Sequence, residues 1–169
     1  DLSIAERSEW ESYIRHELQM NRKISKSGFG GALTMEYTVH EQLDGRVYGV
    51  MPANHQGKTL HEYVESEEFL HSTLRDRIII GKRLFQLVKN FHEKCGIIHG
   101  DINPNNIYLL DTDNDGIYER NAVFALLDFG TSQEIDDQSG TILGCTEGYA
   151  RTEVISGVRT RLIELDDWY

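Results

Sequence analysis

The run from Leu74 to Lys94 constrains the fold more than any other feature. Ile80, Leu84, Leu87, Val88 and Phe91 recur there at the spacing of one helix face. Gly96 follows, and glycine stops a helix readily because it accepts positive φ. Short β-prone runs come next, around Ile97–His99, Ile107–Leu110 and Val123–Leu127. Earlier, Trp10, Tyr13, Ile14, Leu18, Met20 and Ile24 predict a first helix from Ser8 to Ile24, ended by the glycines of SKSGFGG. Leu33–Val39 and Arg46–Met51 predict two strands joined at Leu43-Asp44-Gly45, a turn signal because Asp-Gly tolerates positive φ. PANHQGKT, 52–59, predicts a loop, Leu60–Val64 a short helix and Thr131–Thr141 a polar segment; helix returns only weakly near the C-terminus. Helix, strands, long helix and short hairpins in that order predict an α+β domain.

Composition narrows the function. Hydrophobic residues make up 39% of the chain and the mean hydropathy is -0.46, as in a globular domain. No apolar run approaches the ~20 residues of a membrane helix, and the first residues carry no signal-peptide pattern. The net charge of -11 repels nucleic acid, so no nucleic-acid partner is expected. An anionic nucleotide remains compatible, because a metal ion supplies positive charge locally. Cys95 and Cys145 form no CxxC pair and read as reduced thiols, which points to a cytoplasmic protein.

Three fragments carry the chemistry: HGDINPNN (His99, Asp101, Asn106), LLDFGT (Asp128, Phe129, Gly130) and TEGYARTE (Thr146 to Glu153). Phosphoryl transfer needs a carboxylate near the attacking hydroxyl, oxygen ligands for Mg²⁺ and a grip on the phosphates. Mg²⁺ takes hard oxygens, so one carboxylate and one amide oxygen suit it. Asp101 is the candidate base, Asn106 and Asp128 the candidate metal ligands, and Pro104 stiffens the loop. Each fragment alone is weak, and a lone Asp-Phe-Gly is usually only a turn. The order of all three is what carries meaning.

In that order the fragments resemble the eukaryotic-type, Ser/Thr-like protein kinases. The likeness runs from that family's αC helix to the start of its αF helix. It implies a partial N-lobe over 1–51 (one helix and two strands), a hinge over 52–58, and a truncated, mainly helical C-lobe over 59–169. FHEKCGIIHGDINPNNIYLL looks like the long C-lobe helix and catalytic loop, and LDDWY like the Asp-x-Trp of the next helix, with Asp166 and Trp168 as the pair. By resemblance, Asp101 is the catalytic base, Asn106 and Asp128 hold Mg²⁺, and Thr146 lies on the substrate side. Met51, Pro52, Ala53 and Asn54 then line the adenine site with Tyr108. Pro52 keeps its carbonyl as an acceptor and Asn54 can donate. Glu17, on the apolar face of the first helix, is the family's partner to a phosphate-gripping lysine; as a plain helix residue it is a solvated acid.

The departures are specific. No glycine-rich strand pair ending in lysine precedes the first helix, and Gly28–Gly31 stands after it, so it is no phosphate loop. The helices that cover the family's apolar underside are not among these residues. The remainder of a longer chain, or a partner, is therefore expected to complete the fold. Gly100 stands where the family has the arginine that senses loop phosphate, and Asn103 where it has a lysine. Losing that cation weakens γ-phosphate stabilisation. Arg151 and Thr152 replace the usual Ala-Pro. Asp111, Asp113, Asp115 and Gly116 match half of a calcium loop, but its closing Glu is Ala122; a polar hairpin tip, where Asp, Asn and Gly are expected anyway, is the favoured reading. Three functions stay open: a protein kinase using ATP and Mg²⁺ on a protein substrate, a pseudokinase binding module, and a kinase-like small-molecule phosphotransferase. TEGYARTE argues against the last.

Overall fold

The computed structural model describes residues 4–32, 38–41, 47–50, 57–110, 122–137, 144–146, 148–156 and 162–168. The expected α+β architecture is present. Helix α1 spans Ile4–Ser27 and outruns the expected 8–24 at both ends, because solvated helix ends carry no apolar periodicity. Strands β1 (Thr38–Glu41) and β2 (Val47–Val50) pair antiparallel, Thr38 opposite Val50.

Strand β3 (Gly57–Thr59) falls where a loop was expected. It pairs antiparallel with β5 (Ile107–Leu110), which also pairs with β6 (Val123–Leu126). Gly-Lys-Thr has no strand signature of its own, and the partner β5 decides its conformation. Thr59 then caps α2 (Leu60–Val64) in a capping box: its hydroxyl accepts the Glu62 N–H at 3.1 Å and its own N–H donates to the Glu62 carboxylate at 2.7 Å. A short α3 (Glu67–Leu70), not foreseen from the sequence, starts at Ser66, whose hydroxyl accepts the Phe69 N–H.

Helix α4 covers Leu74–Cys95, starts in a second capping box from Thr73 and Asp76, and ends at Gly96 with φ 63°. The stop signal read from the sequence thus acts as a left-handed cap. Strand β4 (Ile97–Ile98) follows at once and pairs with β7 (Gln133–Glu134), inside the segment expected to be only polar. A 3-10 turn, Pro104–Asn106, leads into β5. Near the end come α5 (Thr152–Ile155) and a 3-10 turn over Glu164–Trp168.

One core unites these elements. Ile24 and Met20 of α1, Leu87 and Phe91 of α4, and Leu109 and Leu126 of the sheet pack with Phe29, Tyr63 and Phe129. Ile107 and Leu109 point into this core, while Tyr108 and Leu110 lie half-buried on the other face of β5. A smaller cluster joins Ile98, Val154 and Leu162. Among the described residues no helix is long and apolar enough to cross a membrane.

Candidate active site

The loop after β4 is organised around the Asp101 carboxylate. Oδ2 accepts the side-chain amides of Asn106 at 2.9 Å and Asn103 at 3.1 Å. Oδ1 accepts the Thr146 backbone N–H at 2.8 Å. Three donors hold the carboxylate in one orientation while it stays half-buried rather than sealed. The Asn106 amide also donates to the Asp101 carbonyl, at 3.0 Å. Both partners are acceptors, so its nitrogen faces Asp101 and its Oδ1 turns away. The Asn106 carbonyl accepts the Leu127 N–H at 2.9 Å, which sets Asn106 beside the residue that precedes Asp128.

Asn103 does more than lack the family's positive charge. It is 4% exposed. Its Nδ2 donates to Asp101 and to Thr146 Oγ1 at 3.2 Å, and its Oδ1 accepts the Asn105 N–H at 2.9 Å. It therefore ties Asp101 to Thr146 and starts the 3-10 turn in which Pro104 takes the first position.

The second element is 128–130. Asp128 is exposed and has φ 57°, the left-handed region that a short polar side chain tolerates best. Its Oδ1 takes the Gly130 N–H at 3.2 Å and the Tyr13 hydroxyl at 3.5 Å. Phe129 points the other way, 1% exposed, stacked on Phe91 at 5.8 Å and packed against His99 at 5.3 Å. The buried ring anchors the turn, and the turn delivers the carboxylate outward. Asn106 and Asp128 are hard-oxygen donors of the kind Mg²⁺ takes, and their chemistry fits that ion. Among the described residues no group of three or more His, Cys, Asp or Glu is placed to hold a metal by itself.

The base of the loop is held by Asp167. It accepts the His99 N–H at 2.7 Å, the Gly100 N–H at 2.8 Å and the His92 ring at 2.6 Å. Asp167 thus anchors the loop, whereas the Asp-x-Trp resemblance matches its neighbour Asp166 with Trp168 and gives it no such contact. Asp166 instead accepts the Ile163 N–H at 2.7 Å and lies 4.0 Å from Arg151. Two adjacent aspartates cannot be told apart by pattern; both are buried, and their hydrogen-bond partners separate their roles. Gly100 has φ 85°, and a Cβ there would meet the Thr131 carbonyl at 2.8 Å. The position formerly read as a lost arginine has no room for any side chain in this backbone.

Glu17 is half-buried on α1. Its charge acts on Tyr13, as do those of Asp128 and Asp101. Burial first, and then these carboxylates, push the Tyr13 phenol from the usual 10.0 up to about 12. Asn21, one turn past Glu17, is buried and donates to the Glu17 carbonyl at 3.0 Å, so a polar residue fills that apolar position by bonding its own helix. Tyr108 lies on the half-buried face of β5. Met51, Pro52, Ala53 and Asn54 lie outside the described residues, as do Asp111, Asp113 and Asp115 of the calcium expectation.

Sequence reasoning missed Tyr13, His16 and Lys23 as site residues. His16 Nε2 donates to the Ser132 carbonyl at 2.8 Å, and Lys23 forms an ion pair with Glu134. The only signal was their spacing on one face of α1, of which the sequence reading took Tyr13 alone, as part of the helix's apolar pattern. A comparison with curated proteins gives no match. A family model described as the protein kinase domain matches residues 2–169, and with a match of that extent the chain belongs to the protein kinase domain family.

Proposed function

We propose that this chain is the catalytic region of a serine/threonine protein kinase of the type without an arginine before the base. Protein kinases move the γ-phosphate of ATP to a protein and generally use Mg²⁺. The observation that carries the reading is the oriented Asp101 carboxylate, bound at once by Asn103, Asn106 and Thr146. In this reading Asp101 accepts the proton of a Ser or Thr hydroxyl as its oxygen bonds to the γ-phosphorus, and the bond to the ADP oxygen breaks. Asn106 and Asp128 hold Mg²⁺, which supplies the charge that stabilises the phosphate oxygens. Thr146 faces the phosphoacceptor, Tyr108 and residues 51–54 contact the adenine, and Glu17 takes the place of the family's partner to a phosphate-gripping lysine. Two half-buried cysteines, Cys95 and Cys145, outside any disulfide among the described residues, support a cytoplasmic setting.

A second reading has one observation in its favour. Asn103 is neutral, buried and engaged within the loop, so it brings no charge to the γ-phosphate. A pseudokinase that binds nucleotide without efficient transfer is compatible with that. Incubation with labelled ATP, Mg²⁺ and a generic protein substrate separates the two. Label on serine or threonine with wild type, lost by at least ~10³-fold in Asp101→Asn, supports the kinase. Thermal stabilisation by Mg²⁺-nucleotide with no transfer from either protein overturns it in favour of the binding module. Label confined to small molecules would overturn both.

A further inference from the structure

Helix α1 grips the run after Leu127 along its length. Tyr13, His16 and Lys23 lie on one helix face, three and seven residues apart. They meet successive points of the turn at 128–132 and of the β7 strand that follows it: Tyr13 at Asp128 and Gly130, His16 at the Ser132 carbonyl, Lys23 at Glu134. The first contact is the closest to the chemistry. The Tyr13 hydroxyl occupies the space over Gly130 so fully that a Cβ built there would lie 2.0 Å from it. Trp10 packs edge-on against the Tyr13 ring at 6.1 Å, which limits where that ring can go.

Asp128 needs such support. It is exposed and its backbone is left-handed, a conformation that persists only where neighbours hold it. Both of its donors, Gly130 N–H and Tyr13 hydroxyl, fall on the same oxygen, Oδ1. Both contacts thus bear on one oxygen and leave Oδ2 outside these two hydrogen bonds. The hydroxyl contact is long, at 3.5 Å, so the larger effect comes from the ring that closes the space over Gly130.

We propose that Tyr13 is a positioning residue for Asp128: from α1, it clamps the 128–130 turn so that the carboxylate meets a divalent cation in one orientation. The inference rests on the reading of Asp128 as a Mg²⁺ ligand. Binding rather than turnover tests it. ADP affinity is measured by calorimetry with and without Mg²⁺, and the ratio of the two is the metal-dependent gain. The proteins are wild type, Tyr13→Phe, Tyr13→Ala and Asp128→Asn, each checked by melting temperature.

Asp128→Asn is expected to lose the gain. Tyr13→Ala should cut it about tenfold, and Tyr13→Phe about threefold, with metal-free ADP affinity unchanged. If Asp128→Asn loses the gain while both Tyr13 variants keep it, the proposal is overturned and the metal-ligand reading survives. If Asp128→Asn keeps the gain, or wild type shows none, the metal-ligand reading itself fails, and the proposal with it. An equal loss with and without Mg²⁺ in Tyr13→Ala would make Tyr13 a packing residue only. Should Tyr13→Ala not fold, Tyr13→Leu replaces it: its shorter side chain clears the space over Gly130, and an undiminished gain there overturns the proposal.

Discussion

The loop 99–106 and the run 128–134 touch at the His99 carbonyl, which accepts the Thr131 and Ser132 hydroxyls, but they are held by different means. The loop is mostly its own scaffold. Asn103 and Asn106 bond Asp101 from two and five residues away, Asn103 bonds Asn105, and the Asp101 N–H reaches back to His99 Nδ1. The run has little of that kind: a Gly130 N–H on Asp128 and a Ser132 N–H on the Phe129 carbonyl. Its course is set by α1, more than a hundred residues earlier in the chain, and by pairing with β4. The difference teaches that one side of the site is preset locally, and the other is exposed to whatever moves α1.

The strongest challenge to this comparison is Asp167→Ala, because the self-scaffolded loop still stands on that one buried carboxylate. Its loss strands two backbone N–H groups and the His92 ring, at a cost of about 4 kcal/mol, or about 10 °C in melting temperature. A shift of only a degree or two would mean that the loop needs no base. Gly100→Ala comes next, at about 2 kcal/mol, from the left-handed backbone together with contact on the Thr131 carbonyl. A neutral result in the same melting assay would show that the loop can relax there.

Asn103→Ala and His16→Ala form a matched pair, each worth about 1 kcal/mol. Hydrogen exchange should quicken at 101–106 in the first and at 130–134 in the second. Equal quickening of both regions in either variant breaks the comparison. Lys23→Ala should cost less, below ~1 kcal/mol, since the pair with Glu134 is partly exposed, and the loss should fade in high salt.

The smallest effect concerns neither region and serves as a control. The Thr59 N–H and hydroxyl hold the Glu62 carboxyl below its usual 4.5. Its folded value is depressed, so its contribution is full above 4.5 and is lost as pH falls through the folded value. Glu62→Gln should therefore flatten the melting temperature slightly in that acid window and leave it unchanged near neutrality.

The two regions also differ in how far they were legible. Asp101, Asn106 and Asp128 were singled out from type and spacing, and the structure brings Asn106 and Asp101 into direct contact. The Gly96 stop and the α4 stripe were equally plain, because caps and periodicity act within a few residues. Strand β3 was missed because its conformation belongs to β5. Asp166 was matched to the Asp-x-Trp pattern by its spacing to Trp168, and pattern alone does not show that the next residue, Asp167, makes the contacts to the loop. Asn103 was read as a missing charge, whereas the fold uses its two-sided amide as a tie between Asp101 and Thr146.

By itself, the sequence determined the α+β class, the long capped helix and the ordered fragments that mark the family, since each depends on residues close together in the chain. Only the tertiary structure decided which aspartate anchors the loop, that Gly100 leaves no room for a side chain, and that Tyr13, His16 and Lys23 hold the run bearing Asp128. Those outcomes depend on contacts between segments far apart in sequence, where close packing leaves a single arrangement and no local pattern records it.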